Sequence, residues 1–427
     1  MGIRKFICAA FLLLTLGVKG QEALVHERSD SNVERSTWVI ALPFEMVQDS
    51  NALGLPGSFV FTNRMATQFY TGLRAGVDSL NHAGANIHLI LVDHDEAQDV
   101  YKIEHENADY TWFVRLDPEA FMRQCERWNV DKIIGPFRGE ASEVLASHST
   151  GIQVINPLSR KVDVAGKPYL VAAASYRMAE VERLGERAAQ AKQMAPRSKT
   201  LLLRTDASSA GAESVFMQAY IKAGGKAEDV QIQEYRQSAV LPVSVASMTG
   251  LTRIILLDDK VLIAARVLNQ LRPFEPSRTE FWTLGNVLSS SALDAQLLMR
   301  QPLIWSQVER LDYIQFRSLD ALLYSAAKTT PGRWEWLGLD MAWLAQFIGN
   351  QYPNGFEGPR RLYVWDHAEG SGFRNHAALI FRYDRTHGIQ AEWTPTIEYG
   401  EEESMEEIVP LPLDSLYTPA EHLEEIN

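Results

Sequence analysis

The chain has 427 residues, 46% hydrophobic and 22% charged, so it holds enough apolar material for a sizeable core and is long enough that two domains are the natural expectation. Its formal charge of −13 excludes a nucleic-acid-binding role, because phosphates demand a basic face. The same acidity disfavours electrostatic docking on anionic lipid.

Arg4 and Lys5 precede an apolar run from Phe6 to Leu16, and Val18-Lys-Gly20 stands before Gln21 in the pattern of a cleavage site. Residues 1–20 therefore read as a secretory signal peptide. The run is shorter than the about 20 apolar residues that span a bilayer. Cys8 lies inside the run, where it is badly placed for lipidation. Removal of this leader leaves Cys125 as the single cysteine, which allows no internal disulfide and fits the bacterial periplasm. The expectation is a periplasmic protein, exported and soluble after cleavage.

Residues 21–36 are polar and read as a lead-in. A rhythm of short apolar runs and helical patterns follows. Trp38 to Pro43 reads as the first buried strand, and Thr67 to Ala83 as a helix with Phe69, Leu73, Val77 and Leu80 at helical spacing. Gly84 ends that helix, and Ile87 to Val92 is the next strand. The stretch from Asp95 to Arg115, with Trp112 and Phe113, reads as a helix plus an irregular insertion. Asp117-Pro118 opens a helix, with Asp as N-cap and Pro at the first position, that runs to about Trp128. Lys132 to Ile134 and Ile152 to Ile155 are strands.

The alternation then restarts. Strands are expected at Tyr169–Ala173, Thr200–Leu203, Val230–Tyr235, Arg253–Leu257 and Phe281–Leu284, with helices at Met178–Gln193, Ser209–Ala223 and Val261–Leu271. Ala377–Tyr383 and Ile389–Trp393 flank a turn at Thr386-His-Gly388 and read as a hairpin. From Glu401 onward nine acids and no Lys or Arg mark an acidic tail of the kind that stays disordered. Near-continuous apolar strands alternating with helices imply an α/β class with two doubly wound, parallel-sheet lobes. In such sheets ligands bind outside the carboxyl ends of the strands.

The order of several fragments resembles the type I periplasmic solute-binding proteins, the group of the branched-chain amino-acid receptors. The fragments are Ala41-Leu-Pro-Phe44, Phe69-Tyr-Thr-Gly-Leu73, Val92-Asp93, Asp131-Lys-Ile-Ile-Gly-Pro136, Val154-Ile-Asn-Pro-Leu-Ser159, Phe356-Glu-Gly358 and Ser371-Gly-Phe-Arg-Asn375. The likeness spans roughly residues 37 to 395. It implies a periplasmic binding protein-like I fold, whose lobes are joined by a three-strand hinge with crossovers near Leu158, Gly285 and Arg374. Lobe one would then be 37–157 plus 287–374, lobe two 158–286 plus 375–395, and 396–427 the tail. Members of the family trap ligand by hinge closure.

The resemblance places ligand contacts at Phe137 and Arg138 after the third strand, Asn156 and Ser159 after the fourth, and Ser175, Tyr176, Asp206 and Asp258 in lobe two. Phe137 and Arg138 stand where amino-acid receptors carry small hydroxyl residues, a departure that argues against a free amino acid. Arg138 is either an anion clamp or a surface cation paired with Glu140. Asp258 and Asp259 bind an amine or, the favoured alternative, cap the following helix. Tyr176 stacks on ligand or packs in the hinge. Trp334, Trp336 and Trp343 fall in a stretch with helical periodicity, so core packing is favoured over sugar stacking.

His94, between Asp93 and Asp95, lacks the further ligands a metal needs, so no metal site is expected. Cys125 sits among Met122 and Trp128 as a structural thiol. The phosphate-loop, dinucleotide and nucleophile-elbow motifs are absent from the sequence, so no enzyme and no cofactor is expected.

The leading functional expectation is a receptor for a small polar molecule (an amino acid, peptide or carboxylate) serving a membrane permease. The alternative is a non-transport envelope module that binds an envelope protein, since some proteins of this fold class regulate cell-wall synthases or serve as sensor domains.

Overall fold

The structure is a computed structural model that describes residues 35–44, 57–106, 111–205, 210–235, 241, 250–258, 260–288, 293, 295–309, 317–348 and 354–393. The leader, the acidic tail, Asp206 and Asp259 lie outside the described residues.

The first half begins with β1 (Ser36–Leu42), α1 (Gly57–His82), β2 (Ile87–Asp95), β3 (Val100–Glu106) and β4 (Thr111–Leu116). It continues with α2 (Pro118–Arg127), β5 (Lys132–Ile134), α3 (Gly139–Ser147), β6 (Gln153–Asn156) and β7 (Leu170–Ala172). Next come α4 (Arg177–Met194), β8 (Lys199–Arg204), α5 (Ala210–Lys222), β9 (Val230–Glu234), β10 (Thr252–Leu256), α6 (Val261–Leu271) and β11 (Thr279–Leu284). The short helices α7 (Gly285–Leu288) and α8 (Ala295–Leu298) precede β12 (Leu303–Gln307). The described residues end with α9 (Arg317–Ala327), α10 (Arg333–Phe347), β13 (Gly355–Glu357), β14 (Leu362–Asp366), β15 (Phe373–Asn375), β16 (Leu379–Asp384) and β17 (Gly388–Trp393).

The strands form two sheets. The larger runs β13-β14-β15-β7-β6-β5-β1-β2-β3-β4, and the smaller β17-β16-β12-β11-β10-β8-β9. Central pairs such as β1 with β2 and β5, or β10 with β8 and β11, are parallel. Antiparallel strands are confined to the flanks of both sheets.

Period-two side chains explain why both faces of each sheet are covered. In β1, Trp38, Ile40 and Leu42 enter one core with Phe69 and Leu73 of α1 and Met341 of α10, whereas Val39 and Ala41 enter a second core with Phe121 and Leu145. The smaller sheet divides alike: Leu201, Ile254 and Leu256 meet Val267 of α6, and Leu202 and Ile255 meet Leu184 and Phe216 of α4 and α5. This is the two-lobed, doubly wound α/β architecture expected from the sequence.

Helices α1 and α10 lie in direct backbone contact because two glycines face each other's chain. A Cβ on Gly72 would stand 1.8 Å from the carbonyl oxygen of Glu335, and one on Gly338 1.9 Å from that of Phe69. Trp336 is buried with Leu339, Leu323 of α9 and Ala75 of α1, and Trp343 and Trp334 pack partly buried against the cores, as core packing predicts.

Three expectations are corrected. The stretch after Asp95 folds as the β3–β4 hairpin rather than helix and insertion: Tyr101 and Ile103 alternate inward with period two and stack the pair onto α2. The first crossover does not fall near Leu158, because β7 still pairs parallel with β6, and the chain leaves the larger sheet only after Ala172. The second does not fall near Gly285, because β12 pairs parallel with β11 in the smaller sheet. The chain recrosses between β15 and β16.

Candidate functional site

The carboxyl ends of the parallel strands carry most of the residues expected to meet ligand. Phe137 follows β5 and turns inward, its ring edge-on to Phe69 at 5.4 Å in the core. Arg138 turns outward, donating to the carbonyl of Glu96 (2.6 Å) and to Glu140 (3.2 Å), so its guanidinium is paired within the chain. Asn156, fully buried at the end of β6, donates to Pro136 O (2.8 Å) and Ser142 Oγ (2.8 Å). Its Oδ1 accepts from the backbone nitrogens of Leu158 and Ser159. It thereby fastens the two strand-end loops to each other. Ser159 packs against Gly139 at the start of α3.

At the first crossover Ser175 is buried and its hydroxyl donates to Ala377 O at 2.6 Å. Tyr176 is half-buried, with the guanidinium of Arg374 4.6 Å from its ring centre. Asp258, after β10, accepts from the backbone nitrogen of Lys260 (2.8 Å) and from the hydroxyl of Thr205. It therefore braces the loop ahead of α6 without capping the helix, whose N-cap is Lys260 with no side-chain cap bond. The structure brings Phe137, Arg138, Asn156 and Ser159 into one loop cluster. Ser175 and Tyr176 lie at the junction of the sheets, and Asp258 lies on the smaller sheet.

The junction holds residues that sequence reasoning did not single out. Asn375, fully buried, donates to Ala173 O (3.1 Å) and Leu362 O (3.2 Å) and accepts from the nitrogens of Val364 (3.1 Å) and Ala377 (2.9 Å). Tyr176 N donates to its carbonyl at 2.8 Å. One side chain thus ties together the first crossover, the third crossover and β14.

Arg361 precedes β14 of the larger sheet and forms a backbone bridge and a 2.8 Å ion pair with Glu309, just beyond β12 of the smaller sheet. Leu362, next to it, enters the core of the smaller lobe beside Trp305 and Phe381. Asp340 of α10 accepts from Arg360 N at 2.9 Å. Complete burial pushes its carboxyl up to about 7, against the pull of Arg361. Burial also works against ionisation of Glu309, but Arg361, Arg333 and Arg360 hold it down at about 2. A charge in the apolar run Trp334–Phe347 was the one available sign of Asp340. Asn375 stood in the closing glycine-rich fragment without an assigned role.

A second polar cluster lies at the tip of β2. His94 is enclosed, stacks on Tyr101 at 4.6 Å and bonds through Nε2 to Asp99 at 3.0 Å. Burial lowers its pKa, so the ring is neutral near neutral pH. Lys102 sits 3.8 Å from Asp93 and 3.2 Å from Asp95. Among the described residues no group of three or more His, Cys, Asp and Glu side chains is placed to hold a metal ion. Burial pushes the Cys125 thiol up to about 12, which makes it unreactive. Among the described residues, no helix is long and apolar enough to cross a membrane.

No protein-family model matches the sequence, and no curated protein matches it. Solved structures do. The chain is similar to the C-domain of LpoA (YraM) from Haemophilus influenzae, described as a regulator of PBP1A, with a TM-score of 0.50 and 12% identity over 83% of this chain and 99% of that one. Full-length Haemophilus influenzae LpoA gives a TM-score of 0.52 at 12% identity, over 92% of this chain and 66% of that one, so the chain spans about two thirds of the whole LpoA. A substrate-binding protein of an ABC transporter from Desulfitobacterium hafniense, in complex with Leu, gives 0.49 at 11% identity, over 84% of this chain and 100% of that one. The fold is the periplasmic binding protein-like I fold. At such identities the likeness fixes the fold and leaves ligand and partner open.

Proposed function

We propose that the chain is a non-transport module of the cell envelope that works by binding a partner protein, rather than a receptor that closes on a solute. One observation carries this reading: four of the polar side chains expected to meet ligand are spent on the chain itself. Arg138, Asn156, Ser175 and Asp258 each bond to backbone or side chains of the same molecule. A solute trap must open and close about its hinge. Here Asn375 staples the crossovers, Arg361 holds Glu309 across the junction, and Leu362 packs into the opposite lobe. Each of these opposes lobe rotation.

The LpoA C-domain, of the same fold, is described as a regulator of PBP1A. A cell-wall synthase is accordingly the partner class we propose, and the chain itself has no catalytic role in this reading. The start of the sequence, with its basic residues and apolar run, supports an envelope location.

Surface plasmon resonance of the purified chain against a purified synthase of the same organism tests the reading, with the synthase rate followed in parallel. Saturable binding and an altered rate are expected. Small-angle X-ray scattering with and without amino acids, peptides and sugars completes the test. A solute that compacts the chain, together with no effect on any synthase, overturns the proposal.

A further inference from the structure

We propose that the outer edge of β2, at Leu89 and Leu91, takes up an extended basic segment of a partner protein as an added strand. The proposal rests on the partner-binding reading and gives it a place and a chemistry. A partner that binds elsewhere overturns the place and leaves the reading standing.

The edge follows from the way three strands pair. Ser36 N donates to Asn86 O at 2.8 Å, and β1 runs parallel to β2 in register as far as Leu42 and Asp93. In such a ladder alternate residues of β2 bond to β1. The N–H and C=O groups of His88, Ile90 and Val92 therefore face β1, and those of Ile87, Leu89 and Leu91 face away. The side-chain amide of Asn81 serves Ile87, accepting from its N at 2.8 Å and donating to its O at 3.0 Å. At the other end β3 pairs its residues 100–102 with residues 93–95. Beyond Lys102, β3 stays with β4 as far as Glu106 and leaves β2, while Tyr101 stacks on Phe121 of α2 at 4.0 Å. Among the described residues, Leu89 and Leu91 have no strand on that side. Their N–H and C=O groups stand there at the spacing of a strand, and an extended peptide is the ligand that matches them.

Native sheets guard their edges with charge. The four strands that end the two sheets, β13, β4, β17 and β9, carry Glu357, Arg115, Glu392 and Glu234. Residues 87–92, Ile-His-Leu-Ile-Leu-Val, hold no Asp, Glu, Lys or Arg, and Leu91 is 39% exposed. An added strand therefore meets no charged guard on β2 and finds apolar surface to cover at Leu91.

The charge of the occupant follows from β3. Residues 103–106, the half that has left β2, contribute two acids and no Lys or Arg. Lys102 lies 3.2 Å from Asp95 and 3.8 Å from Asp93, so one base is answered by two acids where the strands part. The chain as a whole carries −13. A segment that alternates Lys or Arg with β-branched apolar residues meets both demands: its backbone pairs with β2, and its charge answers the acids.

Hydrogen exchange on the full chain at pH 7 tests the edge, and fluorescence anisotropy tests the occupant. In the free chain the amides of His88 and Ile90, which donate to β1, should exchange at least about tenfold more slowly than those of Leu89 and Leu91. The probe is a labelled octapeptide of alternating Lys and Val, blocked at both ends. Saturable binding with Kd at or below about 1 mM is expected, and it should slow the Leu89 and Leu91 amides about tenfold. An alternating Lys and Pro octapeptide has the same charge but lacks every second N–H, and an alternating Glu and Val octapeptide reverses the charge. Both should bind at least about tenfold more weakly. Leu91→Lys puts a like charge on the edge and should weaken the Lys and Val peptide to the same degree, with an unchanged melting temperature showing that the chain is still folded. The proposal is overturned if Leu89 and Leu91 are as protected as Ile90 in the free chain, if the Lys and Val peptide does not bind, or if it binds without slowing those two amides. Failure of a synthase to bind, with the peptide still taken up at Leu89 and Leu91, counts against the synthase as partner and supports the edge.

Discussion

Arg361 donates to Glu309 at 2.8 Å across the place where the two sheets meet, and the same two residues form an isolated antiparallel backbone bridge. The pair joins residues 52 positions apart, one beside β14 and one beside β12. Arg361 is buried, so removing its acid leaves a charge without compensation in a poorly solvated place. Glu309→Gln is expected to cost about 3 kcal/mol at pH 7, read by urea unfolding. Glu309→Gln combined with Arg361→Met should recover part of that loss, because the stranded charge is gone. The carboxyl titrates at about 2 in the fold and near 4.5 when free. Its contribution is therefore complete above pH 4.5 and is lost as pH falls through 2.

Asp340 has the opposite sign. Its carboxyl is raised to about 7 in the fold from 3.8, so the protonated form is the one the fold prefers. The associated stability is complete below pH 3.8 and disappears as pH rises through 7. A shift of about three pH units corresponds to about 4 kcal/mol. In Asp340→Asn the amide oxygen still accepts from Arg360 N while the titration is gone. Thermal unfolding between pH 4 and 8 should then show a decline in the parent chain that is much flatter in the variant. Parallel pH profiles for the two proteins would remove Asp340 as the titrating group.

The architecture was largely legible because its signals are local. Short apolar strands such as Trp38–Leu42 and helices such as Val261–Leu271 declare themselves by period and end signals. The β3–β4 hairpin was not, since a stretch holding Asp, Glu and His alongside aromatic residues gives no clean period until Tyr101 and Ile103 are seen pointing into the core. The crossovers near Leu158 and Gly285 were misplaced for a related reason. Whether β7 and β12 stay in the sheet of the strand before them is decided by pairing, β7 with β6 and β12 with β11, which short apolar runs do not announce, and the distant partners β15 and β16 complete it. The junction was the least legible part. Arg361 and Glu309 sit 52 positions apart, and Asn375 meets Ala173 from 202 positions away, so nothing in either neighbourhood marks the contact.

Asn375 offers the sharpest test of whether the junction is fixed. Its amide makes four side-chain hydrogen bonds to backbone groups of β14, the end of β7 and the third crossover. Asn375→Ala strands two carbonyls and two N–H groups in a buried place, at a cost of about 1 kcal/mol or more for each unless water enters. A loss of about 3–5 kcal/mol in urea unfolding is expected. Asn375→Asp should fare worse, because a carboxylate would face the oxygens of Ala173 and Leu362, which the amide nitrogen now serves. Hydrogen exchange separates a local effect from a global one. The amides of Val364 and Ala377 donate to Asn375 itself, so both should exchange at least tenfold faster in Asn375→Ala than the overall loss of stability accounts for. The amide of Ile254, deep in β10, should slow or quicken only with that overall loss. If Val364 and Ala377 track Ile254 instead, the staple does not hold the junction by itself, and the argument for immobile lobes rests on Arg361 and Leu362 alone.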